Sequence, residues 1–255
     1  MVDVNSAFNN TKIDYKILLL ILVGLILFQV YLQTSEPSAL LTTSTLVISF
    51  IGSTLAGIAS LFVANKHGRS KMGYSFYSLA IAFFSIAVGE IFFSYFSYVG
   101  IDAFPSIADL FYFLLYPFQM IHLIVNINFY QNQCTLKSKI GMIVLASLII
   151  LAYAFFAFEY IGELNIDFFY GLIFVSGAAC ITSVGLYGAI VVRKIPLGRS
   201  WFLLVTAIVL GTVADVWYYV TELLEMYTLD HIVNLCWYAG YFISIYALYK
   251  HYKIM

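Results

Sequence analysis

Three acids and one amide sit inside or at the edge of apolar stretches of this chain: Glu90, Asp109, Asp215 and Asn234. Burying a carboxylate in hydrocarbon costs about 2.5–3.5 kcal/mol on insertion scales, so acids at membrane depth are paired, hydrated or functional. No Lys or Arg lies inside those stretches to pair them. The acids therefore carry their protons, face water, or hold a cationic ligand. Tyr95, Tyr98, Tyr112, Tyr116, Trp217, Tyr218, Tyr219, Trp237, Tyr238 and Tyr241 lie near them in the chain. Ring faces attract ammonium groups by about 0.5–2 kcal/mol each, so an amine or a bound cation suits such a site. The candidate ligand-binding residues are Glu90, Asp109, Tyr112, Asp215, Asn234 and Trp237. No nucleophile stands beside a base and no CxxC or CxxH spacing offers a zinc site. No catalytic or metal-ligating residue is assigned, and no cofactor is indicated.

Each candidate also has a plainer reading. Ser106-Ile107-Ala108-Asp109 follows Pro105 and reads as a variant capping box, with Asp230 as the corresponding cap in the second half. Tyr and Trp collect at membrane interfaces in any case. His122 reads as a satisfied core histidine and His231 as a helix-end residue. Glu90 and Asp215 resist such explanations. Glu90, Ser94 and Ser97 share one helical face, as do Thr212, Asp215, Tyr218 and Glu222, because residues three and four apart stack.

The elements that must position these groups are membrane helices. Hydrophobic residues make up 63% of the 255 and charged residues 10%, against about 45–50% and about 25% in soluble domains. Eight stretches approach or exceed the roughly 17–25 residues of a spanning helix: Ile17–Leu32, Leu40–Ala64, Tyr74–Val99, Pro105–Tyr130, Ile140–Phe158, Phe168–Val192, Ser200–Leu224 and Ile232–Tyr249. The first is kept as a retained helix, not a signal peptide. All 12 Lys and Arg fall on one side if the chain crosses eight times: Lys12 and Lys16; Lys66, Arg69 and Lys71; Lys137 and Lys139; Arg193, Lys194 and Arg199; Lys250 and Lys253. By the positive-inside rule that side is the cytoplasm, with both termini there, in the cell membrane. Glu36, Asp102, Glu159, Glu163, Asp167, Glu222, Glu225 and Asp230 mark the other side.

A shift of 125 residues lays the second half on the first without a gap. It brings Glu90 onto Asp215, Asp109 onto Asn234, Gly73 onto Gly198, Ser75 onto Ser200, Leu110 onto Leu235, Tyr116 onto Tyr241 and Lys12 onto Lys137. The fold class expected is an all-α polytopic membrane protein of eight transmembrane helices, built as a 4+4 parallel internal repeat. Its parts are a cytoplasmic N-terminal segment (1–16), a first four-helix repeat (17–130), a cytoplasmic linker (131–139) and a second repeat (140–255). Running outward from Tyr74, Glu90 lies about 24 Å along a core of about 30 Å, and Asp215 lies at the same depth. Gly52, Ser53, Ala56 and Gly57, and Gly177, Ala178, Gly185 and Gly188, read as packing stripes where backbones approach, near the centre. Cys134, Cys180 and Cys236 suggest no disulfide. The Asn9-Asn10-Thr11 sequon falls on the cytoplasmic side.

Pro105-Ser106-Ile107-Ala108-Asp109-Leu110-Phe111-Tyr112, followed by Leu115-Tyr116-Pro117, resembles a segment in the multi-pass membrane sensory regions of prokaryotic diguanylate cyclases and histidine kinases. The similar segment reads approximately Pro-Ser-x-Ala-Asp-x-x-Tyr, then Tyr-Pro. The resemblance covers about a tenth of the chain and implies a membrane-embedded sensory or ligand-binding module, with Asp109 and Tyr112 as the carried-over positions. No output domain follows before Met255, so such a module would act through a membrane or cytoplasmic protein partner. Three other readings stand beside it: a small-solute or cation transporter, a membrane hydrolase, and an accessory subunit of a membrane complex. The partners expected are the lipid bilayer, a cationic or amine small molecule and that protein partner. With a formal net charge of −1, nucleic acid is not among them.

Overall fold

A computed structural model describes residues 13–36, 39–100, 106–131, 134–194 and 198–255. Among the described residues there are eight helices and no strand: α1 (Tyr15–Thr34), α2 (Ala39–His67), α3 (Lys71–Val99), α4 (Ile107–Tyr130), α5 (Leu136–Ile161), α6 (Ile166–Val192), α7 (Gly198–Leu223) and α8 (Val233–Ile254). The sequon, Lys12, Asp102 and Pro105 lie outside the described residues. Seven helices, α1 to α7, are long and apolar enough to cross a membrane. The chain is a multi-pass membrane protein.

The eighth helix is different. Its 22 residues give about 33 Å at 1.5 Å per residue, a sufficient length, but Asn234, five tyrosines, Lys250, His251 and Lys253 make it polar. It packs against α1, α2 and α7 and buries Asn234, Tyr238, Tyr241, Tyr246 and His251. Polar groups turned toward protein escape the transfer cost that lipid would impose. The lipid-exposed α1 and α5 carry the opposite pattern, apolar nearly all round.

Local hydrogen bonds set the helix starts. Asp14, Ser70, Ser106, Thr135 and Asn165 stand at the N-caps of α1, α3, α4, α5 and α6 and accept from first-turn amides, satisfying donors that a helix leaves open. The Thr135 cap starts α5 at Leu136, so Lys137 and Lys139 extend the helix beyond its expected apolar stretch from Ile140. At α8 the expected Asp230 cap is not used. Instead, the His231 Nδ1 accepts from the Val233 amide at 3.2 Å.

The two halves interlock. In the first, α3 packs on α2 and α4; in the second, α7 packs on α6 and α8. The last helix of each half also crosses to the other, α4 onto α6 and α8 onto α2. One core, containing Phe76, Leu79, Phe83, Tyr238 and Tyr246, fills the space among α1, α2, α3, α7 and α8. A second, containing Leu123, Phe174, Val175 and Trp201, lies among α4, α5, α6 and α7. Tyr112 and Leu115 on α4 touch both cores.

The small-residue stripes serve rings instead of backbones. A Cβ at Gly52 would meet Tyr241, at Gly57 Phe84, at Gly177 Tyr116 and at Gly188 Trp201. Backbone approach occurs elsewhere, at Gly240 beside the Ala207 carbonyl. The reason is volume, since a helix rich in Phe and Tyr needs recesses in its neighbour to reach native packing density.

At one end of the bundle the start of α1 meets the end of α8. The Asp14 amide donates to the Tyr246 hydroxyl at 2.7 Å, and Lys66 Nζ donates to the Tyr252 carbonyl at 2.6 Å. His67 and His251 meet there, Nε2 to Nε2 at 3.3 Å. His122 lies in the core, fully buried with its Nδ1 3.1 Å from the Ser75 hydroxyl, but it is not the satisfied histidine expected, because its Nε2 has no hydrogen-bond partner among the described residues. At the opposite end Gln29 Nε2 donates to the Asp230 carbonyl at 2.7 Å, and there the helices part around a cavity.

Candidate functional site: an acidic cavity between the halves

Glu90 lies in the last third of α3 and Asp215 at the corresponding level of α7, and both face one cavity of about 170 Å³. The Ser49 hydroxyl on α2 donates to Glu90 Oε1 at 2.7 Å, and the Tyr112 ring packs over the adjacent Gly89. Asp215 is held on both oxygens: Trp237 Nε1 donates to Oδ1 at 2.9 Å and the Tyr116 hydroxyl to Oδ2 at 2.9 Å. A carboxylate has about four acceptor positions, so each acid keeps acceptor capacity toward the cavity.

All six predicted residues line this cavity: Glu90, Asp109, Tyr112, Asp215, Asn234 and Trp237. Asp109 takes the capping role read from the sequence. It completes a capping box with Ser106, accepting from the Ser106 amide at 2.6 Å, and its side chain borders the cavity. Asn234 accepts from the Tyr227 hydroxyl at 3.1 Å and donates to the Leu229 carbonyl at 2.8 Å. Among the lining residues there are three carboxylates and no Lys, Arg or His.

Seven of the ten expected aromatic residues line the walls, namely Tyr112, Tyr116, Tyr218, Tyr219, Trp237, Tyr238 and Tyr241. Tyr95, Tyr98 and Trp217 do not. Tyr98 is 89% exposed and, at the end of α3, suits the interface role that any membrane aromatic can take. Ser94, Ser97 and Glu222 are likewise absent from the lining. Sequence reasoning missed Ser49, Gln119, Ser244 and Tyr227. Gln119 and Ser244 carried a signal, being polar residues in apolar helices at the same 125 offset. Tyr227 carried none, because it belongs to the α7–α8 loop. That loop turns through Glu225, whose φ of 54° is uncommon for a side chain other than glycine, and lays Tyr227 and Leu229 over the cavity. Burial holds the Tyr227 phenol above its usual range, so it stays a donor to Asn234.

Most of the lining falls into pairs 125 residues apart: Ser49 and Phe174, Phe83 and Ile208, Ile86 and Gly211, Glu90 and Asp215, Phe93 and Tyr218, Asp109 and Asn234, Tyr112 and Trp237, Leu115 and Gly240, Tyr116 and Tyr241, Gln119 and Ser244. The supports are paired too. Tyr116 lies over Gly177 and Tyr241 over Gly52, each tyrosine crossing to the other half.

Gly177→Ala tests this arrangement. Its Cβ would come within 2.5 Å of the Tyr116 ring, and overpacking of this kind costs about 1–3 kcal/mol. Pushing the ring away also withdraws the hydroxyl from Asp215. Gly185→Ala is the control, since its nearest neighbour would be 3.7 Å away. Thermal unfolding in detergent should show a loss for the first and none for the second.

Comparison with protein-family models, curated proteins and solved structures finds no match for this chain. The cavity's own chemistry is therefore the guide to function.

Proposed function

We propose that this chain is a membrane-embedded ligand-binding module that captures a small organic cation, an amine, in the Glu90/Asp215 cavity and acts through a protein partner as a sensor. The observation that carries this reading is the charge of the lining: three carboxylates and no basic side chain. An amine supplies the missing positive charge, and Tyr112, Tyr218 and Trp237 supply ring faces for it. The sensory part rests on the resemblance of Pro105 to Pro117 to membrane sensory regions, within which Asp109, Tyr112 and Tyr116 border the cavity.

In this reading the chain crosses eight times as a 4+4 parallel repeat, with both termini cytoplasmic and the cavity open to the outer face. The paired lining residues and the crossing of α4 and α8 support the repeat, and the one-sided Lys and Arg support the orientation. Cysteine labelling in a variant lacking the three native cysteines tests the latter. Glu163→Cys should react with an impermeant reagent from outside intact cells and Ser70→Cys should not; the reverse pattern would invert the topology.

The test of function is thermal stabilisation of the purified protein by a panel of alkyl amines, which bind the folded state and shift its unfolding by mass action. Stabilisation by amines and not by matched alcohols is expected. Absence of any amine response would leave the accessory-subunit reading in its place. Amine flux through the protein in proteoliposomes would instead make it a transporter.

A further inference from the structure

The reading above names an amine; the geometry narrows which kind. The two acids that face the cavity stand at corresponding positions, 125 residues apart. Trp237 donates to Asp215 at 2.9 Å, and Tyr112, at the same place in the first half, lines the cavity with Glu90. Tyr116 donates to Asp215, while Glu90 accepts from the Ser49 hydroxyl and Tyr241, the counterpart of Tyr116, lines the same cavity. The third acid, Asp109, is engaged by its own helix cap. The negative charge available to a ligand is thus divided between two like ends.

The cavity also holds polar groups that the protein does not use. Gln119 and Ser244 both line it and are 5% and 3% exposed, yet neither side chain has a hydrogen-bond partner among the described residues. Each carries an acceptor oxygen, which a ligand with N–H donors can engage. They stand at the 125 offset, one per half, like the acids. An ammonium group carries three N–H donors and no acceptor, enough for a carboxylate and a neighbouring neutral acceptor together. The volume of about 170 Å³ has room for on the order of ten water-sized groups.

We propose that the cavity consists of two equivalent half-sites and takes a linear aliphatic diamine or polyamine, one terminal ammonium at Glu90 and the other at Asp215. The apolar chain between them lies against the Tyr116 and Tyr241 rings. This rests on the amine reading and adds to it a ligand with two cationic ends. A monoamine fills one half-site and leaves the other acid without a counter-ion.

The experiment compares straight-chain diamines of increasing length with monoamines of the same length, by thermal unfolding of the full chain in detergent, for the parent, Glu90→Gln and Asp215→Asn. The expected result is a single optimum of length, with the best diamine bound about tenfold or more tightly than its monoamine, as one charge-assisted hydrogen bond allows. In either single variant the diamine should fall to the monoamine's affinity, while the monoamine itself loses little. A merely structural role for the acids would not move that ratio. Equal binding of monoamines and diamines in the parent, or a diamine preference that survives either variant, overturns the two-ended ligand and leaves the amine reading standing. No response to any amine overturns both.

Discussion

Gly73→Ala should cost the fold about 3 kcal/mol, the upper part of the range for overpacking. Gly73 opens α3 immediately after the turn through Gly68, and its amide donates to the Ser70 hydroxyl at 3.1 Å. A methyl group there would overlap the Gly68 carbonyl oxygen and stand 3.2 Å from the Ala64 carbonyl oxygen. Both are backbone atoms, so no side chain can swing aside, and relief requires unwinding the end of α2. Gly198, at the start of α7, is the counterpart; its Cβ would lie 2.5 Å from the Val192 carbonyl oxygen. Gly24→Ala on α1 sets the opposite expectation. Nothing lies within 4 Å of its Cβ, and alanine is preferred to glycine inside a helix by about 1 kcal/mol. Denaturant unfolding in detergent should show loss for the two turn variants and none for Gly24→Ala. An unchanged midpoint for Gly73→Ala would mean that the α2–α3 turn is not packed this way.

The double variant Glu90→Gln/Asp215→Asn should abolish amine-dependent stabilisation and keep the fold. In the parent, an amine at about a hundred times its dissociation constant adds about 2.7 kcal/mol, and this increment should vanish. The fold survives because an amide costs less to bury than an ion, and because the hydrogen bonds can be rearranged. Trp237 keeps a side-chain carbonyl oxygen at position 215 as acceptor, while the Tyr116 hydroxyl turns to accept from the new amide. Ser49 still has an oxygen to donate to at position 90. The measurement is the thermal midpoint with and without amine, for parent and variant alike. A variant that folds and still responds like the parent would show that the acids are not the counter-ions.

The candidate site was legible where chemistry and position were both unusual. Glu90 and Asp215 stand out because an acid in an apolar stretch is costly and because they share an offset. Tyr112 came in as a carried-over position of the segment that resembles membrane sensory regions, and Trp237 as an aromatic residue near Asn234 in the chain. The same logic admitted Tyr95, Tyr98 and Trp217, which lie outside the lining. Proximity in the chain does not say which side of a helix meets a cavity, and uniformly apolar helices have little amphipathic pattern to reveal it. Gln119 and Ser244 were within reach, since two polar residues at the 125-residue offset are the same kind of signal as the acids. Tyr227 was not, because a loop's path depends on what it packs against.

What the sequence determined by itself was the membrane class, the helices and the capping box at Ser106 and Asp109. Transfer energy and first-turn hydrogen bonds act within a few residues, so composition and local order are enough to set them. The tertiary structure alone decided how the halves combine. Tyr116 reaches Asp215 across 99 residues, α4 and α8 cross into opposite halves, and α8 runs inside the bundle with most of its tyrosines turned from lipid. Those outcomes depend on which rings fit over which glycines, Tyr116 on Gly177 and Tyr241 on Gly52. Such shape matching joins residues far apart in the chain, and no local pattern encodes it.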